Sequence, residues 1–207
     1  MRKVMRRRAL SVLAAGSIAA LLLSGCAGSS NDAGEGGDDA RIRVARSFAP
    51  TAGLSPYSDD ATTLSKFGSA ETLVQLSDDL EAEPLLATDF EQVDDLTWTF
   101  TLGSGVTFHD GTEMDAAAVK NALDHASSAA SPPRALKGVK LTVEAPADDK
   151  VTIKTAIPDP LLTNRLTSPQ LSIFSAAAYK DDGTVDPVGT GTGPFVLTEV
   201  DGTTTAT

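Results

Sequence analysis

Short alternations of polar and apolar residues are the clearest pattern in the chain, and they predict β-strands. The segment 96–102, LTWTFTL, alternates over seven residues and is rich in β-formers, which puts its apolar residues on one face. We expect Trp98 on that face to lie in the core. The same alternation predicts further strands at 41–47, 139–143 and 151–154, and a last short one at 195–197.

A spacing of three and four residues marks the predicted helices. Asp115 can cap a helix whose apolar face is formed by Val119, Ala122, Leu123 and Ala126. The segment 61–76 combines a helical spacing at its start with an extended pattern at 72–76, and 161–167 predicts a short helix. The segment 80–90 is acidic and contains a proline, which predicts a connection that ends near 85–87. Strands that alternate irregularly with helices indicate a mixed α/β domain.

The N-terminus has the pattern of an export signal. Five basic residues precede the apolar segment 9–23, which is shorter than the roughly 20 residues of a membrane span. The next residues, LSGC at 23–26, fit the lipobox of bacterial lipoproteins, in which the cysteine takes a diacylglyceryl group. The arginine pair at 7–8 leaves open whether export follows the general secretory or the twin-arginine route.

Cys26 is the single cysteine of the chain, so its role depends on its neighbours. The segment behind it, 27–40, is rich in Gly, Ser and Asp and has no apolar period, which is typical of a flexible tether and disfavours a core cysteine. A catalytic thiol would need a nearby base. We predict a signal peptide at 1–25, a lipid-anchored linker at 26–40 and one domain at 41–207.

The charge of the processed chain excludes two classes of partner. Removal of the five basic residues before Cys26 leaves 12 Lys and Arg against 28 Asp and Glu, a formal charge of −16. Such a surface repels nucleic acid and anionic membranes, so we expect no nucleic acid as partner and membrane contact through the lipid alone. A single cysteine forms no disulfide within the chain, so the core must supply the stability.

Two features invite a catalytic or ligand-binding interpretation, but the residue pattern supports neither. His109 stands beside an Asp-Gly turn, and His125, the other histidine, has no metal-ligand spacing to it. The segment 189–194, GTGTGP, lacks the lysine and the following helix of a phosphate-binding loop and is expected to be a flexible crossing between structural units. We predict no metal site, no cofactor and no enzymatic activity.

Taken together, these segments resemble the extracellular solute-binding lipoproteins of the peptide/nickel family (family 5) of ABC importers. The resemblance spans 41–200, and besides the lipobox it is carried by LSPY at 54–57, EPLLA at 83–87, LTWTFTL at 96–102, VTFHDGT at 106–112 and GTGPF at 191–195. Gly103 and Phe90 stand where this family often has Arg and Trp, which suggests a divergent branch.

The resemblance implies an α/β fold of the periplasmic-binding-protein type II, in which two lobes close on a ligand around a hinge. Because family members are usually much longer, the chain is expected to be the N-terminal portion, with the first lobe present and the second largely missing. One lobe offers an open wall, so we expect this chain alone to bind its solute only weakly.

The resemblance also assigns candidate site residues. Two loops would approach the ligand, and the expected contacts are Ser47, Phe48, Ala49, Pro50, Ser131 and Arg134. The hinge would be formed by Gly191, Gly193 and Pro194.

The function that this family resemblance implies is capture of a solute for import. The protein would bind a peptide, or a similar small solute such as a nickel chelate, and deliver it to a permease and ATPase complex. It would be held through Cys26 at the outer face of the cell membrane or in the periplasm. An exported lipid-anchored hydrolase and a chaperone-like lipoprotein are the alternatives.

Replacement of Cys26 by serine tests the lipid anchor. Acyl chains contribute about 0.8 kcal/mol per buried CH₂, so two or three chains hold a protein firmly on a membrane. The Cys26→Ser variant should remain unprocessed at this site or be released into the medium, and it should take up no palmitate analogue. Labelling of the variant at the wild-type level would contradict the lipobox interpretation.

Overall fold

The computed structural model describes residues 44, 49–201 and 205–207. The predicted signal peptide, the linker with Cys26 and, apart from Val44, the predicted strand at 41–47 lie outside the described residues, as does Phe48. The described part from residue 49 onward belongs to one compact unit.

The described chain combines short helices and strands, as the mixed pattern predicts. The helices are α1 Ala61–Lys66, α2 Ala116–Ser128 and α3 Leu162–Leu166, with three 3-10 turns at Arg134–Leu136, Pro169–Leu171 and Ala176–Ala178. The strands are β1 Val74–Leu76, β2 Ala82–Pro84, β3 Ala87–Asp94, β4 Thr97–Leu102, β5 Leu141–Ala147, β6 Lys150–Thr155, β7 Val200–Asp201 and β8 Thr205–Ala206.

The centre of the domain is an antiparallel sheet in the order β3-β4-β6-β5. The alternation of LTWTFTL places Phe100 and Leu102 of β4 on the buried face of this sheet. Phe100 is paired with Phe90 of β3 on one side and with Val151 of β6 on the other. Helix α2 packs across β5 and β6 and covers that face. The remaining strands form two small hairpins, β1-β2 and β7-β8.

Helix α2 begins where the sequence predicts and is tied to the sheet at its start. The Asp115 carboxylate accepts a hydrogen bond from the Ala118 amide at 2.7 Å, which satisfies one of the free amides of the first turn. The Ala116 amide donates to the carbonyl of Asp148 in the β5-β6 turn at 2.8 Å. The four predicted apolar positions of the helix are all buried, which confirms its orientation.

Phe100, and not Trp98, is the fully buried aromatic residue of β4. Phe100 is 0% exposed, whereas Trp98 is only partly buried and packs at the margin of the main core. Phe90 contacts both rings, with centroid distances of 5.8 Å to Phe100 and 6.2 Å to Trp98. The expectation that Trp98 lies in the core is therefore correct for its face but wrong for its depth.

Two other expectations differ from the structure. The predicted connection that ends near 85–87 contains β2. It is followed by β3, an eight-residue strand that the sequence does not predict and whose acidic side chains are exposed. The predicted strand at 195–197 is absent from the described structure, where Phe195 and Val196 are exposed and the nearest strand begins at Val200.

A second, smaller core lies between α1 and the C-terminal part of the described chain. It is formed by Leu54, Leu64, Ala70, Phe174, Ala178, Val185 and Leu197. Tyr57 and Tyr179 pack against both cores, and burial raises the pKa of both hydroxyls well above the ordinary value. The ring of His125 stacks on Tyr179 at a centroid distance of 4.6 Å. These aromatic side chains therefore join the two cores.

Two turns with the sequence Asp-Gly-Thr share one geometry. In the first, the Asp110 carboxylate accepts from the amide and the hydroxyl of Thr112, at 2.9 and 2.6 Å. In the second, the Asp182 carboxylate accepts from the same two groups of Thr184 at the same distances. The hydroxyl and amide of Thr184 lower the pKa of Asp182. The middle glycine has a positive φ in both turns, which explains why glycine occupies that position.

Replacement of Phe100 should cost far more stability than replacement of Trp98. Phe100→Ala removes a fully buried ring and should lower the free energy of unfolding by about 3–5 kcal/mol. Trp98→Ala should have a smaller effect, and Val93→Ala on the exposed side of β3 should stay within about 0.5 kcal/mol of wild type. Urea denaturation followed by circular dichroism measures all three. A loss for Trp98→Ala equal to that for Phe100→Ala would contradict the described packing.

Candidate ligand-binding site

The structure describes four of the six expected ligand contacts. Ala49 and Pro50 begin the described chain and are exposed and partly buried, respectively. Ser131 is exposed in the loop after α2, and Arg134 starts the 3-10 turn that follows. Ser47 and Phe48 lie outside the described residues.

The loop that begins at Ala49 is held by a buried carboxylate. Asp60, which is 6% exposed, accepts hydrogen bonds from the Thr51 amide at 3.0 and 3.1 Å and from the Ala52 amide at 2.7 Å. Hydrogen bonds to a charged acceptor are stronger than neutral ones, so they fix this loop on the start of α1. Leu54, which is 1% exposed at φ 60°, anchors the far end of the same loop in the smaller core.

The second predicted loop contacts Asp59, the acidic residue next to Asp60. The Nη2 atom of Arg134 donates to the Asp59 carboxylate at 2.8 Å. Both side chains are largely exposed, at 76% and 79%, so the pair contributes little to stability, about 0–1 kcal/mol at most. Asp60 therefore holds the first loop on the start of α1, and the neighbouring Asp59 forms an exposed ion pair with Arg134 of the second loop.

An open cavity of about 410 Å³ lies beside the Asp59–Arg134 ion pair. Its lining residues are Ser58, Asp59, Thr62, Arg134, Ala135, Ser168, Pro169 and Gln170. The Gln170 side-chain amide donates to the Ser58 carbonyl at 3.3 Å, which connects the lining segment 168–170 to the lining residues before α1. We call this cavity the Arg134 cavity. Its volume is in the range of small-molecule sites, and Arg134 is the one predicted contact in its lining.

A second arginine holds the wall that carries Arg134. Arg165 donates from Nε to the Asp159 carboxylate at 2.7 Å and from Nη1 to the Ala135 carbonyl at 3.1 Å. Its side chain is 31% exposed and that of Asp159 only 10%, so this pair is better shielded than the exposed one at the cavity. The backbone beside Arg134 is thus fixed while its own side chain extends into solvent.

A larger cavity of about 570 Å³ lies between the loop at 52–55 and the segment 183–188. Its lining contains one charged residue, Asp186, whose carboxylate lies 3.8 Å from the Lys180 ammonium. The Arg134 cavity is the better candidate because its lining contains charged groups of both signs and one of them is the predicted contact Arg134.

The predicted hinge segment is in tight contact with the backbone of another loop. A Cβ atom placed on Gly191 would lie 1.9 Å from the Ser69 carbonyl oxygen, and one on Gly193 would lie 2.0 Å from that of Gly68. The Phe195 amide donates to the Gly68 carbonyl at 3.1 Å, so the segment runs against this loop over several residues. Close contact therefore requires glycine at these two positions, in addition to any need for flexibility.

His109 contacts the same segment from the other side. Its backbone amide donates to the Gly191 carbonyl at 2.8 Å, and its Nε2 atom lies 2.7 Å from the Gly193 carbonyl oxygen. Because a carbonyl oxygen only accepts, the ring carries its proton on Nε2 in this contact. This gives His109 the structural role beside the turn that the sequence indicates.

The sequence did not single out Asp59, Asp60 or Gln170. Asp59 and Asp60 precede α1 as Asp115 precedes α2, and this similarity was the available signal. Their contacts differ, however, because the Asp60 side chain does not cap its own helix and accepts from residues eight and nine positions earlier. Gln170 acts across 112 residues, a separation that no local pattern reports.

Two further findings concern the described residues as a set. They contain no group of three or more His, Cys, Asp or Glu that could hold a metal ion. Within them, no helix has the length and apolar content needed to cross a membrane.

Residues 81–207 match the model of a protein family described as bacterial extracellular solute-binding proteins, family 5 Middle. The glutathione-binding protein GsiB of Salmonella paratyphi A is 34% identical over 154 residues, which are 66% of this chain and 30% of that protein. The nickel-binding protein NikA of Staphylococcus aureus is 30% identical over 174 residues, or 84% of this chain and 33% of that protein. The chain thus spans about a third of the length of these relatives.

A solved structure gives the same result for the fold. The structure of NikA from Brucella suis in complex with Fe(III)-EDTA aligns with 74% of this chain and 32% of that one, at 29% identity and a TM-score of 0.64. The α/β fold of the periplasmic-binding-protein type, expected from the sequence, is therefore confirmed.

Alanine at either close-contact glycine should destabilise the domain. Gly191→Ala and Gly193→Ala would each force apart two backbone segments, at a cost of about 1–3 kcal/mol or more. Gly103→Ala is the matched control, because the nearest atom to its added Cβ would be 3.4 Å away and its φ is not positive. Thermal unfolding of the three variants measures the difference. Equal midpoints for Gly193→Ala and Gly103→Ala would contradict the close contact.

Proposed function

The chain belongs to family 5 of the bacterial extracellular solute-binding proteins, and from this premise we propose that it captures a small solute for an ABC importer. The Arg134 cavity would form one wall of the capture site. The observation that carries the assignment is the family match. The position of the wall is supported by the adjacent residues Asp60, which holds the first predicted loop, and Asp59, which contacts Arg134 of the second.

Arg134 is the proposed principal ligand contact of this wall. Ala49, Pro50 and Ser131 remain proposed ligand contacts that lie outside the lining of the cavity. A guanidinium has five donors arranged as a planar fork, and one hydrogen bond from Arg134 goes to Asp59. The fork can therefore receive a carboxylate, which it binds in two-pronged geometry. Because Arg165 holds the Ala135 carbonyl, the backbone beside Arg134 loses little conformational entropy when a ligand binds.

The proposed solute is a peptide or a similar small carboxylate-bearing compound. The relatives named above are a glutathione-binding and a nickel-binding protein, so a metal chelate belongs to the same proposal. The described residues contain no group of three or more metal-ligating side chains that could hold a metal ion. For a chelate, the groups proposed to contact Arg134 are the carboxylates of its organic part.

The remaining parts of the proposal concern anchoring, export and delivery. We propose that Cys26 carries the lipid, that 1–25 is the export signal and 26–40 the tether, and that a permease and ATPase complex receives the solute. Gly191, Gly193 and Pro194 are the proposed hinge, and their contacts with Gly68 and His109 would fix this lobe's side of it.

A binding experiment with one matched control tests the proposed wall. A panel of short peptides, glutathione and nickel chelates is screened by thermal shift, because a ligand that binds the folded state raises its stability. Arg134→Ala should weaken binding of the retained solute by about tenfold or more, the effect of losing a hydrogen bond to a charged group. Lys137→Ala removes an exposed cation in the same loop and should leave binding unchanged.

Two results would overturn the proposal. If no member of the panel binds at ligand concentrations above the millimolar range, solute capture by this chain is contradicted. If a solute binds equally well to wild type and to Arg134→Ala, capture stands but the wall lies elsewhere.

A further inference from the structure

The Arg134 cavity contains an arrangement of charge that restricts what it can recognise. Its lining carries two charged side chains, Asp59 and Arg134, and they lie 2.8 Å apart. The other lining residues are polar or apolar but uncharged. The charged part of the wall is therefore a dipole with both ends in solvent and no net charge.

The pair can open at small cost. Both side chains are more than three-quarters exposed, so neither charge is desolvated by the protein in the unliganded state. Exposed ion pairs of this kind contribute little to stability. A ligand with one positive and one negative group can thus replace the internal contact with two contacts of the same kind.

Ligands with a single charge gain less from this wall. A lone carboxylate is attracted by Arg134 but repelled by Asp59, which stays close to the guanidinium. A lone ammonium group is attracted by Asp59 but repelled by Arg134. The two opposite charges on the wall thus disfavour each singly charged ligand, because one of the two residues repels it.

We propose that the Asp59–Arg134 pair recognises an α-amino-acid end group, in which an ammonium and a carboxylate are attached to one carbon. The separation of these two groups is comparable to that of the pair, so the ligand carboxylate binds Arg134 while its ammonium binds Asp59. Asp59 is then the specificity-determining residue, because it rejects simple anions. This inference rests on the proposed function of the cavity as a solute-binding wall.

Three ligands of nearly the same size test the inference. L-alanine carries both charges, N-acetyl-L-alanine carries the carboxylate alone and L-alaninamide carries the ammonium alone. Titration of the ¹⁵N-labelled chain should shift amide signals at 58–62, 134–135, 168 and 170, with a dissociation constant of about a millimolar or weaker for L-alanine. Each singly charged ligand should bind about two- to fivefold more weakly, the effect of losing one exposed ion pair.

Substitutions should change the preference in opposite directions. Asp59→Asn should make N-acetyl-L-alanine the better ligand, and Arg134→Gln should do the same for L-alaninamide. Glu144→Gln is the matched control, since Glu144 forms an exposed pair with Lys154 at 3.0 Å on the central sheet, outside the lining of the cavity. It should leave the preference of the wild type intact.

The outcomes separate this inference from the proposed function. Equal binding of L-alanine and N-acetyl-L-alanine to the wild type, or an unchanged preference in Asp59→Asn, would overturn the role of Asp59. Absence of binding by all three ligands would overturn it as well. The proposed function would survive either result if a solute from the panel still required Arg134.

Discussion

Direct contact between two stretches of backbone is the constraint on which the described domain depends. The segment around Gly191 and Gly193 lies against the carbonyls of Gly68 and Ser69, and His109 contacts it from the opposite side. Three distant parts of the chain meet there: the end of α1, the loop between β4 and α2, and the C-terminal segment. Because no Cβ fits between Gly191 or Gly193 and the carbonyls of Ser69 and Gly68, the geometry there is set by the backbone and tolerates little variation.

How far the fold can be predicted depends on how strongly burial shapes each segment. The alternation at β4 and the apolar face of α2 are local records of burial on one side, and both elements were predicted with their orientation. Strand β3 was missed because most of its side chains are exposed, so its sequence contains no apolar alternation. Trp98 shares its face with Phe100 but lies nearer the margin, and depth within a core depends on packing partners that periodicity does not reveal.

The candidate site shows the same limit at a finer scale. The family resemblance pointed to the loop of Arg134, and the cavity includes that residue. Asp59 and Asp60 are adjacent in sequence, yet one forms an exposed ion pair 75 residues away and the other is buried beneath a neighbouring loop. No local signal distinguishes their roles, because each is defined by a partner that only the folded chain brings close. The functional meaning of an acidic pair of this kind requires the three-dimensional arrangement.

The sequence of strand β3 affects whether copies of the protein associate through their sheet edges. Within the described residues it forms one edge of the central sheet, and an edge offers unpaired backbone groups to any other strand. Asp89, Glu91 and Asp94 line this edge strand, and its register with β4 shifts at both ends. Like charges repel a second copy, and the irregularities disturb the straight alignment that intermolecular pairing needs. The acidic sequence that hid this strand from prediction thus protects the molecule against aggregation.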